Sequence, residues 1–215
     1  RGDIPVCSMG HALTLILLHR LLPDRCPIVP GFEIGARGTS ATEVGGDYYD
    51  FLPLGNHRVG VLIADVSGKG VPAAILMAFL RASLRAASHI GYATHISMAK
   101  VNYLLWESIE RHQFVTAFHG ILDASNRTLS YSNAGHNPPL LIKANGESRF
   151  IDFGEQPLGM FPQTRYHEYH MTLDPGEVLV LSDLQASGLT AATIRPPVIA
   201  ARVPGDPPPN AGIAS

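Results

Sequence analysis

Charge is scarce in this chain: only 16% of its 215 residues are Asp, Glu, Lys or Arg, and the formal net charge is -2. Without a basic excess there is no electrostatic case for a nucleic-acid partner or an anionic membrane surface. Cysteine is nearly absent. Cys7 and Cys26 show no C-x-x-C spacing and no disulfide framework, which fits a reducing, cytoplasmic compartment. The most membrane-like stretch, "ALTLILL" at 12–18, falls far short of the about 20 residues that span a bilayer and lacks the cleavage site of a signal peptide. The triplet "NRT" at 126–128 is read as a chance match to a glycosylation site. The chain begins at Arg1 rather than Met, which points to a fragment of something longer.

What is present is apolar. At 46% hydrophobic, the chain can bury one sizeable core. Residues 11–22 read as a short apolar helix, and "PDRCPIVPG" as a linker whose three prolines forbid regular helix. "RVGVLIADVSG" (58–68) reads as a strand buried on both faces. "PAAILMAFLRASLRAAS" (72–88) reads as a largely buried helix opened by Pro72. "ISMAKVNYLLWESIERH" (96–112) is an amphipathic helix with Met98, Val101, Leu105 and Ile109 at helical spacing. The runs 114–123, 128–135, 138–144 and 148–153 read as consecutive antiparallel strands joined by hairpins, and 168–183 as one more pair. Two groups of strands separated by two long helices favour α+β with packed antiparallel sheets. The expected organisation is a helical linker remnant at 1–22, one domain at 23–189 and a proline-rich tail without regular structure at 190–215.

The polar residues are concentrated where chemistry is expected. In "TEVGGDYYDF" (42–51) a strand puts Asp47, Tyr49 and Phe51 on one face, and Tyr48 and Asp50 on the other. Asp65 ends the buried strand on the face of Val59, Val61 and Ile63, and Asp183 ends "EVLVLSD" in the same way. A buried lone carboxylate is costly. Asp47, Asp65 and Asp183 have no basic residue beside them in sequence, which suggests a hard divalent cation. Taken singly, each reads more readily as an ordinary turn aspartate; it is their recurrence together that points to a metal. "ADVSGKGV" fails as a P-loop at Ile63 and Gly70, and "HEYH" (167–170) is one residue short of the zinc-protease spacing. Among ten histidines His136, in "NAGHNPP", stands out; turn filler and a substrate contact both remain open for it.

"EVGGDYYDF", "ADVSGKGVPAAILMA", "FVTAFHGILD" and "SNAGHNPPLL" occur in order. Together they closely resemble the PPM-type, metal-dependent serine/threonine phosphatases of the bacterial SpoIIE/RsbU branch, over about Leu21 to Asp183. "LLPDRCPIVPGFEIGAR" looks like that branch's entry segment. The resemblance implies a four-layer α-β-β-α sandwich and two Mn²⁺ or Mg²⁺ ions. It also implies metal ligands at Asp47, Asp65 (bridging both ions), the Val66 carbonyl and Asp183, with Asp47 and Asp65 central to catalysis; His136 and Asn137 are the candidate substrate contacts. The implied reaction is hydrolysis of a phosphoserine or phosphothreonine by a metal-activated water. The implied partner is a phosphorylated anti-anti-sigma protein of the STAS class, with a sensory domain upstream. Two departures stand out. After Asp183 the branch pattern is close to D-G-V-T-E-A, whereas this chain has Leu184 for the glycine and Ser187 for the glutamate. A proline-rich end replaces the final helix, strands and last metal-binding aspartate, which reads as a truncated C-terminal part with unpaired sheet edges. A degenerate phosphatase that binds a phosphoprotein without turnover is the alternative. A nucleotide phosphoesterase finds no base-binding motif.

Overall fold

In a computed structural model, residues 22–37, 46–68, 70–110, 112–182 and 198–205 are described. The first sheet is built around the apolar run at 58–66. β2 (Tyr48–Gly55) turns back through Asn56 and His57 into β3 (Arg58–Val66), which pairs with β4 (Val115–Asp123). β5 (Thr128–Ala134) and β8 (Tyr169–Thr172) complete the antiparallel order β2-β3-β4-β5-β8. The second antiparallel sheet has the order β1-β10-β9-β6-β7, from β1 (Glu33–Arg37), β6 (Leu140–Ile142), β7 (Ser148–Phe150), β9 (Val178–Ser182) and β10 (Val198–Arg202). The fold is α+β with two packed antiparallel sheets, as the sequence suggests.

The two-residue period of the strands separates two cores. Phe51, Val61 and Ile63 of the first sheet meet Leu179, Leu181 and Ile199 of the second. The alternate residues Tyr48, Leu62 and Ala64 face the helices α1 (Val71–Ile90) and α2 (Thr94–Ser108). α1 is apolar and long enough to cross a membrane, yet it packs on the sheet and fully buries Leu80 and Leu84. It stops at Gly91, whose φ of 85° is left-handed. The N-terminus of α2 is capped from a distance: Thr94 N–H and Oγ1 both donate to the Glu168 carboxylate at 2.7 Å. The expected stripe is realised, with Met98, Val101 and Leu105 buried and Ile109 packed beside them.

Three expectations are corrected. Residues 168–183 do not form a hairpin: β8 joins β5 in one sheet and β9 joins β6 and β10 in the other. β5 and β6 likewise belong to different sheets, so 135–139 crosses between them. The region 190–215 is not structureless throughout, because β10 lies between β1 and β9 and is antiparallel to both. Its segment is free of proline between Pro197 and Pro204, and Ile199, Ala201 and Val203 alternate into the core. The domain therefore reaches at least residue 205, and β10 covers an edge that truncation was expected to leave bare. Both described helices lie on the first sheet; among the described residues no helix covers the outer face of the second. The expected helix at 11–22 falls, but for its last residue, outside the described residues.

Candidate active site at the strand ends

The two acids of "GGDYYDF" part company because they lie on opposite faces of β2. Asp50 points at the helices and is fully buried. Arg85 of α1 donates to it twice, from Nε at 2.6 Å and Nη2 at 2.8 Å. Arg81, one turn earlier, lies 3.7 Å away. The Tyr48 hydroxyl donates at 2.5 Å and the Phe51 N–H at 2.9 Å. Burial first, then the adjacent carboxylate, raises the Tyr48 hydroxyl far above its ordinary value. The hydrogen bond to Asp50 raises Arg85. Asp50 is thus a strut between sheet and helix; its partners are distant in sequence and were not anticipated.

Asp47 lies on the other face. Tyr48 pairs with Ala64, and the register runs on because the Val66 N–H donates to the Gly46 carbonyl at 3.2 Å. Asp47 and Asp65 stand between these two pairings, directly opposite each other. In such a non-hydrogen-bonded pair the side chains share a face and Cβ atoms are about 4.5–5.5 Å apart. Asp47 is exposed and Asp65 half-buried. Two carboxylates placed opposite each other repel, and an oxygen-only donor set suits Mg²⁺ or Mn²⁺. Gly46 lets the backbones close here: a Cβ on it would fall 2.3 Å from the Val66 carbonyl oxygen. The residues present fit a divalent cation held by Asp47, Asp65 and the Val66 carbonyl. Asp183 directly follows β9 but lies outside the described residues. Among the described residues no three His, Cys, Asp or Glu side chains gather to hold a metal.

Beyond Val66 the chain borders a depression of about 290 Å³ lined by Ser67, Gly68, Pro72, Glu110, His112 and Gln113. Ser67 closes the strand end, donating its N–H to the Phe114 carbonyl at 2.9 Å and accepting the Phe114 N–H on Oγ at 2.8 Å. α1 begins at its edge with no side-chain cap and no acid in its first turn, so the positive end of the helix is uncompensated locally.

His136 belongs to the crossover loop, not to a hairpin turn. It is buried, and Asn133 clamps its backbone: Nδ2 donates to the His136 carbonyl at 3.0 Å, and the His136 N–H donates to Oδ1 at 2.8 Å. Its Nδ1 lies 3.1 Å from Thr116 Oγ1, and Thr116 is the ladder partner of Asp65. Burial lowers the imidazole to about 4, so it is neutral at neutral pH. Asn137 follows it, half-buried. The place of Thr116 between His136 and Asp65 was not anticipated; only the strand register reveals it.

The family described as Stage II sporulation protein E (SpoIIE) matches residues 55–183, from the β2–β3 turn to the end of β9. The chain belongs to the SpoIIE family. Protein IcfG of Synechocystis is 29% identical over 186 residues, covering 74% of this chain and 29% of IcfG. The phosphoserine phosphatase RsbU of Bacillus subtilis is 26% identical over 163 residues, covering 75% of this chain and 48% of RsbU. The chain therefore spans less than half the length of these two relatives. The crystal structure of the RsbU and RsbW domains of a Mycobacterium tuberculosis protein superposes with a TM-score of 0.62 at 31% identity, over 72% of this chain and 44% of that one. RsbX, crystallised in complex with magnesium, shares the fold at a TM-score of 0.56 and 16% identity, over 70% and 71% of the two chains.

Proposed function

We propose that this SpoIIE-family domain is a metal-dependent protein phosphatase that hydrolyses phosphoserine or phosphothreonine on a regulatory protein. The observation that carries the reading is the facing pair Asp47 and Asp65 at the open end of the β2–β3 ladder. The bound divalent ions would supply an activated water and charge neutralisation for in-line attack on phosphorus. Asp47, Asp65, the Val66 carbonyl and Asp183 would hold them. The chain's own residues do the rest. Gly46 permits the close approach that sets Val66 in place. Ser67 fixes the strand end through Phe114. The uncapped start of α1 adds positive potential beside the depression where a phosphoryl group would lie. The reaction needs no protein nucleophile: water attacks phosphorus, the serine or threonine oxygen leaves with a proton, and inorganic phosphate is released.

The RsbU name and the RsbU–RsbW architecture of the structural relative support a phosphorylated anti-anti-sigma protein of the STAS class as the substrate, presented in the cytoplasm under an upstream sensory segment. A second reading, a phosphoprotein-binding module without turnover, is favoured by Leu184 and Ser187 where the branch pattern has glycine and glutamate. Phosphate release from p-nitrophenyl phosphate, with added Mn²⁺ and then with EDTA, separates the two. The phosphatase reading expects turnover that EDTA abolishes. Binding of a phosphoprotein without any release of phosphate favours the module.

A further inference from the structure

The geometry points to Thr116 and His136 as a positioning pair for Asp65: the His136 Nδ1–H donates to Thr116 Oγ1, which leaves the Thr116 hydroxyl hydrogen for the Asp65 carboxylate. The inference rests on the metal-site reading of Asp47 and Asp65 and deepens it.

Three observations combine. Thr116 on β4 is the direct ladder partner of Asp65 on β3, so the two side chains share one face of the sheet. The register is held two residues further on, where the Ser67 N–H bonds the Phe114 carbonyl at 2.9 Å; Thr116 cannot slip relative to Asp65. Thr116 Oγ1 lies 3.1 Å from His136 Nδ1, 20 residues away along the chain.

The imidazole is itself fixed. Both backbone polar groups of His136 are taken by the buried Asn133 side chain. The preceding Gly135, with φ of 67°, lies so close to Pro157 that a Cβ would approach its Cγ to 2.7 Å. The loop therefore presents one ring orientation to β4.

A threonine hydroxyl has a single hydrogen. If His136 carried its hydrogen on Nε2, Thr116 would spend its own on Nδ1 and would turn its lone pairs toward a carboxylate. With the hydrogen on Nδ1, Thr116 accepts from the ring and donates toward Asp65. Burial keeps the ring neutral, with its ionisation lowered to about 4, so one nitrogen alone carries the hydrogen. His136 Nε2 is buried with no hydrogen-bond partner among the described residues, so Thr116 is the ring's contact there. A metal-binding carboxylate oriented by a second hydrogen-bonded group is a general device of such centres.

Isothermal titration of Mn²⁺ into the full 215-residue chain tests this, with Asp65→Asn as control and thermal melting of the metal-free proteins alongside. Thr116→Val and His136→Phe should each weaken Mn²⁺ binding by about tenfold. Thr116→Ser, which keeps the hydroxyl, should stay close to wild type. The Thr116→Val/His136→Phe double variant should be no weaker than Thr116→Val, because the two residues act in series. Wild-type affinity in Thr116→Val overturns the inference while leaving the metal site standing. So does a Thr116→Ser affinity as poor as that of Thr116→Val, which would place the effect in packing. A wild-type chain that binds no Mn²⁺, or an Asp65→Asn chain that binds as well as wild type, overturns the metal reading and the inference together.

Discussion

Arg85 holds Asp50 with two parallel hydrogen bonds, 2.6 Å from Nε and 2.8 Å from Nη2, and so ties the C-terminal half of α1 to the first strand of its sheet. Arg85→Leu would leave a fully buried carboxylate with Arg81, at 3.7 Å, as its nearest cation. Breaking a buried pair on one side costs roughly 3–5 kcal/mol, and the low end is expected because Arg81 remains. Arg85→Lys should recover only part of the loss, since lysine cannot supply the fork. Urea unfolding measures both; a change within experimental error for Arg85→Leu would show that Asp50 is not held by this contact.

Gly46→Ala probes the strand end. Its Cβ would meet the Val66 carbonyl oxygen at 2.3 Å and the Val66 Cβ at 3.0 Å, so the two backbones must separate. We expect a lower melting temperature and weaker Mn²⁺ binding together, because the carbonyl moved is the one assigned to the metal. Weaker binding is the specific part: a variant that melts early but titrates like wild type would remove Val66 from the ligand set.

Acid should destabilise the domain through its buried histidines. Burial lowers both His119 and His136 from 6.5 to about 4. Between those values the unfolded chain binds protons that the folded chain refuses, so stability is full above 6.5 and falls as pH drops toward about 4. The slope should approach roughly 1 kcal/mol per pH unit for each histidine. His119→Gln, which can still face Ser88 across the 3.4 Å contact, should reduce the slope by about half, since one of two groups is removed. Equal slopes in the two proteins would show that His119 titrates normally in the fold.

Asn102 gathers the loop that follows β7. Its Nδ2 donates to the Phe161 carbonyl at 2.8 Å, and its Oδ1 accepts from Gly159 N–H at 2.9 Å and from the Tyr166 hydroxyl at 3.2 Å. Asn102→Leu strands the buried Gly159 N–H, while the Tyr166 hydroxyl keeps the Gln156 carbonyl at 3.1 Å and the Phe161 carbonyl keeps Thr164 Oγ1 at 3.4 Å, so it should cost about 1–3 kcal/mol. A neutral effect in chemical denaturation would mean that water replaces the lost partner.

The strand faces are legible in the sequence because their period is strict: alternation alone puts Asp47 and Asp50 on opposite sides of β2, and the structure keeps them there. The helices are equally plain from Met98, Val101 and Leu105. Long-range pairing is not. Nothing local tells Arg85 that it will meet Asp50, or Thr116 that it will face Asp65, because both contacts depend on register set across 30 residues or more. β10 is obscured for a different reason. Six prolines in 196–209 dominate the composition, while the strand needs only the short segment between Pro197 and Pro204, and its partners β1 and β9 supply the order. The β8–β9 misreading has a similar origin. The turn "DPG" suits a hairpin locally, but β8 is drawn to β5 and β9 to the opposite sheet.

The most direct test of the central claim is phosphate release from a serine-phosphorylated STAS-domain protein, followed with and without Mn²⁺ for the wild-type chain and Asp65→Asn. The account predicts release that depends on Mn²⁺, stops on addition of EDTA and is lost in Asp65→Asn while the variant still melts cooperatively. Release at full rate in EDTA, or undiminished in Asp65→Asn, would contradict it.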